Sequence, residues 1–106
     1  MARSAIHPGE HLAEAMAALG ITAAQLARDI QAPANRVAGI LHRARAITAD
    51  TALRLGRYFD TSAEFWMNLQ QLYELRRAAE QIDTGIKRMP RGKRRADDHA
   101  HHEPHP

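Results

Sequence analysis

Between residues 6 and 82 the large apolar side chains recur every three or four positions, the repeat of one helix face. Strict alternation is absent and β-branched residues are few, so no segment reads as a strand. Five helices follow. The first opens at Pro8, which suits a first helical turn. It carries Leu12, Ala15, Met16 and Leu19 on one face and stops at Gly20. Thr22 and Gln25 have the spacing of a capping box. They open a second helix whose buried face is Ala23, Leu26, Ala27 and Ile30. Pro33 opens the third, with Val37, Ile40 and Leu41 inward. An arginine-rich loop spans residues 42–47. Thr48 caps the fourth helix, whose apolar residues include Ala52, Leu53, Leu55, Tyr58 and Phe59. Gly56 inside it costs about 1 kcal/mol relative to alanine. Thr61 and Glu64 read as a second capping box. The fifth helix spans about residues 63–80. Its Phe65, Trp66, Leu69, Leu72 and Tyr73 fall within an arc of roughly 120° and read as core. Met67 and Leu75 fall outside that arc and are candidate dimer-interface residues.

Helices two and three have the lengths and short turn of a helix-turn-helix. That motif needs a small residue where its helices cross, and Ala27 stands there. Ten and thirteen residues later, Val37 and Ile40 turn the third helix's apolar side inward. Ala34, Asn35, Arg36, Ala38 and Gly39 are left facing out near its N-terminal half. Asn and Arg are the side chains that bond adenine or guanine edges with two hydrogen bonds. The small neighbours allow close approach to a groove floor. Arg43 and Arg45 are placed to neutralise phosphates, and Thr48 opens a helix whose N–H groups can face one. Gln25, at the start of the second helix, completes the candidate DNA-binding set. The alternative on spacing alone is an ordinary helical hairpin, with Arg36 a solvated surface residue and Asn35 a helix cap.

Composition narrows the classes. The chain has 106 residues, 44% of them apolar, with 21 alanines, enough for one small domain with a modest core. It contains no cysteine, which excludes disulfide frameworks, thiolate zinc sites and cysteine nucleophiles. No apolar run has the length of a membrane span, and the first residues lack a signal peptide's apolar stretch. A cytoplasmic location without a membrane is the expectation. The net charge of +3 is unevenly placed. Residues 1–86 balance nine basic against nine acidic side chains, while residues 87–106 hold six against three. Within the balanced part, six arginines between Arg28 and Arg57 face only Asp29 and Asp50. The chain therefore divides into a domain at 1–86 and a basic, histidine-rich tail at 87–106, too poor in apolar residues to order itself.

Five segments carry a family resemblance: HPGE at 7–10, QLAR at 25–28, ITADTALRL at 47–55, Tyr58-Phe59, and SAEFWMNLQ at 62–70. Over about residues 6–77 the chain resembles the HigA-type antitoxins of the Xre, phage-repressor-like helix-turn-helix proteins. The resemblance implies an all-α, five-helix, lambda-repressor-like DNA-binding domain with no cofactor. It further implies a homodimer on double-stranded operator DNA, with its two recognition helices about 34 Å apart. The implied function is to neutralise a HigB-type mRNA-cleaving toxin and repress its own operon. The chain departs from the family pattern at the helix-three exit, where His42-Arg43-Ala44 stands for the usual Asn-Gly-Lys, and at Gln31 and Asp60, where the pattern has glycine. Glycine is thus missing at Gln31, Arg43 and Asp60. If the backbone keeps positive φ there, each costs about 1 kcal/mol.

Two other readings stay open: a stand-alone Xre-type regulator with no toxin, and an interaction module without specific DNA binding. Catalysis is not expected. Glu10, Glu14, His7 and His11 cluster on the first helix as ordinary surface charge, and no serine triad or phosphate-binding glycine loop is present. No metal is expected either, since the tail histidines His99, His101, His102 and His105 have no supporting shell.

Overall fold

The computed structural model describes residues 5–93. Five helices run in the order α1 (Pro8–Leu19), α2 (Ala23–Ile30), α3 (Ala34–Leu41), α4 (Ala49–Phe59) and α5 (Ala63–Lys87), with no strand among the described residues. The expected all-α fold is the observed one. Helix α1 packs on α3 and α5, α2 on α3 and α4, and α4 lies along α5. Leu12, Leu26, Val37, Ile40, Ile47, Ala52, Leu55 and Trp66 meet at the centre, each at most 2% exposed.

Local chemistry sets the ends. Thr22 and Gln25 form the capping box in full, Gln25 N–H donating to Thr22 Oγ1 and Thr22 N–H to Gln25 Oε1. Pro33 is the N-cap of α3 rather than its first residue. Ahead of α5 the cap lies one residue later than its sequence suggests. Ser62 accepts from the Phe65 N–H at 3.0 Å, and Thr61 instead accepts from Trp66 Nε1 at 2.9 Å. The indole needed a partner for its buried N–H, and Thr61 is the hydroxyl within reach. Gly56 has a packing reason: a Cβ there would stand 2.9 Å from the Ala63 nitrogen, where α4 meets the start of α5.

Helix α5 differs most from expectation. It continues past residue 80 to Lys87, crossing the boundary drawn at 86, with a non-helical step at Ile82 (φ −125°, ψ 19°). Its buried arc is also rotated. Trp66 and Gln70 are buried, Ala63, Met67, Leu69 and Tyr73 half-buried, while Phe65 and Leu72 are 43% and 45% exposed. Trp66 sets this rotation, packing between Phe59 and Phe65 at ring separations of 5.8 and 5.1 Å. Gln70 locks it, accepting the Ile47 N–H at 2.8 Å with Oε1 and donating from Nε2 to Glu74 at 2.9 Å. Met67 therefore packs against the core edge, and Leu75 stays 67% exposed. Of the tail's basic block, Arg94 and Arg95 lie outside the described residues, as do its four histidines.

Candidate DNA-binding face

The turn between α2 and α3 is held by backbone geometry. Gln31 takes a left-handed conformation (φ 58°), and the Ala32 N–H donates to the Ala27 carbonyl at 3.0 Å. Ala27 is 4% exposed at the crossing, where a larger side chain would force α2 and α3 apart. Val37 and Ile40 point into the core. Their burial leaves Ala34 and Asn35 fully on the surface at the first turn of α3. Asn35 makes no hydrogen bond within the described residues, and α3 has no side-chain cap, so its amide is unused by the fold. Gln25 is exposed, and the capping box engages its carbonyl oxygen, leaving the amide donors outward.

Arg36 is not the freely outward side chain its spacing suggests. It is half-buried, with Nη1 bonded to Asp50 Oδ2 at 2.7 Å. Asp50, second residue of α4, also accepts from Arg54 Nε at 3.1 Å on the same oxygen and at 3.3 Å on the other. Arg54 reaches on to the α2–α3 turn, donating from Nη1 to the carbonyls of Ile30 and Gln31 at 2.8 and 3.2 Å. The two guanidiniums hold the Asp50 carboxyl below the usual carboxylate range, Arg54 contributing most.

Gly39 does not offer an open patch for a groove. A Cβ there would sit 2.7 Å from Arg45 Cδ, because the Arg45 stem lies across it. Arg45 itself stays exposed, as does Thr48, whose Oγ1 accepts the Thr51 N–H at a long 3.5 Å. Ala38 is half-buried. Arg43 (φ 64°) turns toward α1 and pairs with Glu10 at 2.9 Å, beside His7, Tyr73 and Arg77. Three of the mid-chain arginines are thus engaged by carboxylates: Arg36 and Arg54 by Asp50, and Arg43 by Glu10.

No family model matches the chain. Virulence-associated protein I of Dichelobacter nodosus is 45% identical over 75 residues, 70% of this chain and 69% of that one. An uncharacterised helix-turn-helix transcriptional regulator of Haemophilus influenzae is 33% identical over 76 residues, 71% of each. Among solved structures, an addiction module antidote protein of a HigA family from Coxiella burnetii superposes with a TM-score of 0.83 at 44% identity. It covers 86% of this chain and 100% of its own. The Pseudomonas aeruginosa antitoxin HigA, solved with the higBA promoter, gives 0.78 at 45%, over 82% and 96%. The chain belongs to the HigA antitoxin family. Positive φ is kept although this HigA chain lacks glycine there: Gln31 and Asp60 (both φ 58°) are the C-caps of α2 and α4, and Arg43 (φ 64°) follows the C-cap of α3. Within this HigA chain, sequence reasoning missed Asp50 as the shared partner of Arg36 and Arg54. The signal was present as the i,i+4 spacing of an acid and an arginine on α4, but the reach from α4 to α3 has no sequence signature. Gln70 was missed because a glutamine beside Asn68 and Gln71 reads as a surface position.

Proposed function

We propose that the chain is the antitoxin of a HigBA-type module, binding its own operator as a dimer, repressing transcription and neutralising a HigB-type toxin. The observation that carries this is the first turn of α3. Asn35 presents an unused amide and Arg36 a guanidinium with only Nη1 engaged, on a helix that projects from a helix-turn-helix core. In this reading Asn35 and Arg36 contact base edges, Ala34 and Ala38 permit the approach, and Gln25, Arg45 and Thr48 hold the phosphate backbone. Arg43 adds positive potential from the loop, tethered by Glu10. The relatives solved with operator DNA support it, one from Pseudomonas aeruginosa on an 18-bp operator at 48% identity and a TM-score of 0.77.

The dimer is assigned to α5. Phe65, Asn68, Leu72, Leu75 and Ala79 recur at alternating steps of three and four, all exposed, forming an a/d seam one helix can offer a second copy of itself. Leu75 belongs to this seam. Met67, drawn into the core edge, does not.

Gel shift on the gene's own promoter tests DNA recognition. Arg36→Ala is expected to lose about 1–3 kcal/mol of specific affinity, and equal binding by wild type and variant removes Arg36 from the readout. Co-expression with the adjacent gene product, scored for growth rescue and co-purification, tests the toxin assignment. Failure of both with operator binding intact identifies a stand-alone regulator.

A further inference from the structure

We propose that Asp50 is a positioning residue for sequence recognition: it fixes the Arg36 guanidinium in the orientation that reads a base and discourages binding to DNA of any other sequence. The inference rests on the reading of Arg36 as a base contact.

An acidic side chain beside a DNA-reading helix is unfavourable for phosphate approach, so its presence needs a reason. Stability is a poor one, since Asp50 is 55% and Arg36 31% exposed and open ion pairs contribute little to folding. Geometry supplies a better one. Arg36 is long and flexible, and recognition by it requires a fixed fork. Asp50 Oδ2 takes Nη1 at 2.7 Å and leaves Nε and Nη2 without a partner among the described residues. Asp50 is itself held in place, because Arg54 Nε grips both of its oxygens. Arg54 in turn is anchored on the carbonyls of Ile30 and Gln31, at the turn of the motif. The chain of bonds ties the Arg36 head to the backbone that sets the angle of α3. A guanidinium held in this way loses less side-chain entropy on meeting a base, and its charge is partly neutralised toward phosphates of arbitrary sequence.

The test compares full-length wild type, Asp50→Asn, Arg36→Ala, the double variant and Asp50→Glu. Each is titrated against a duplex of the chain's own promoter and a scrambled duplex of equal length, over a salt series, with thermal melting run alongside. Asp50→Asn is expected to bind the scrambled duplex at least as tightly as wild type. Its promoter-to-scrambled affinity ratio should fall about tenfold, roughly one good base contact. In the Arg36→Ala background the Asp50→Asn change should lower the ratio no further. Asp50→Glu keeps the charge and should retain most of the discrimination, which separates positioning from folding if Asp50→Asn melts early. An unchanged or higher ratio in Asp50→Asn, with Arg36→Ala impaired, overturns the inference, as does equal loss in Asp50→Glu and Asp50→Asn. If Arg36→Ala itself keeps the ratio, the base-contact reading fails instead.

Discussion

Gln31 carries a conformational cost that its side chain does nothing to offset. It is exposed, sits at φ 58° and closes the turn of the helix-turn-helix. An L-residue there is disfavoured by about 1 kcal/mol. Glycine relieves that strain but enlarges the unfolded ensemble. Gln31→Gly is therefore expected to gain about 0.5 kcal/mol, or about 2–4 °C in melting temperature for a domain of this size; urea and thermal melts check it. His7 shows a titratable residue used as structure. It is 4% exposed and caps α1, Nδ1 accepting the Gly9 N–H at 2.9 Å while its ring meets Tyr73 edge-on at 4.7 Å. Burial and then the Arg43 guanidinium push the imidazole below its ordinary value of 6.5, against weaker opposition from a hydrogen bond to the Arg45 backbone and from Glu10. The folded protein thus resists a proton that the unfolded chain accepts. Stability from this group is complete above pH 6.5 and is lost as pH falls below it toward the depressed folded value. His7→Asn keeps a capping oxygen without a proton to gain. Urea midpoints between pH 7.5 and 5 should decline less steeply in that variant than in wild type.

Helices α1 to α4 were legible because local signals and burial agree at most positions, Leu19 and Leu53 being the exceptions at 56% and 65% exposed. Pro8, the Thr22–Gln25 box and Thr48 mark starts that the fold uses, and Leu12, Leu26, Val37 and Ile40 are the buried positions their spacing predicts. Helix α5 was legible in type but not in rotation. Two apolar stripes lie side by side on it, and periodicity finds their union without saying which one faces inward. Contacts distant in sequence decide: Trp66 with Phe59, and Gln70 with the Ile47 backbone. The candidate site divides in the same way. Asn35 is where the period of α3 puts it, whereas the Arg36–Asp50–Arg54 linkage and the Arg45 stem over Gly39 depend on the approach of separate elements. The outer stripe of α5 has its own consequence. If it is the dimer seam, a charge at its most exposed large apolar member, Leu75, faces its like across the two-fold. Leu75→Glu should shift sedimentation toward monomer and weaken promoter binding, while leaving the melting temperature at low concentration nearly unchanged, because Leu75 is 67% exposed in the protomer. A variant that remains dimeric places the interface elsewhere.

For the whole molecule, charge matters by where it is left uncompensated. The domain up to residue 86 is neutral, and its six-against-two arginine window suggested a broad cationic face. The fold reduces that face. Asp50 engages Arg36 and Arg54, and Glu10 engages Arg43, so Arg28, Arg45 and Arg57 are the window's arginines without an ion pair among the described residues. A reading domain of no net charge, with few unpaired arginines on this face, gains little from non-specific counterion release, and more of its binding then rests on the bases. Arg45 is the arginine of the three that follows directly on the recognition helix, and its stem is already ordered against Gly39. Arg45→Gln retains the stem and deletes the charge. It is expected to weaken binding to promoter and scrambled duplexes by similar factors, unlike Arg36→Ala. The slope of log affinity against log salt should become shallower by about 0.9 for each phosphate no longer neutralised, about 2 for a dimer. A changed sequence preference with an unaltered slope would instead move Arg45 from the phosphate backbone to the bases.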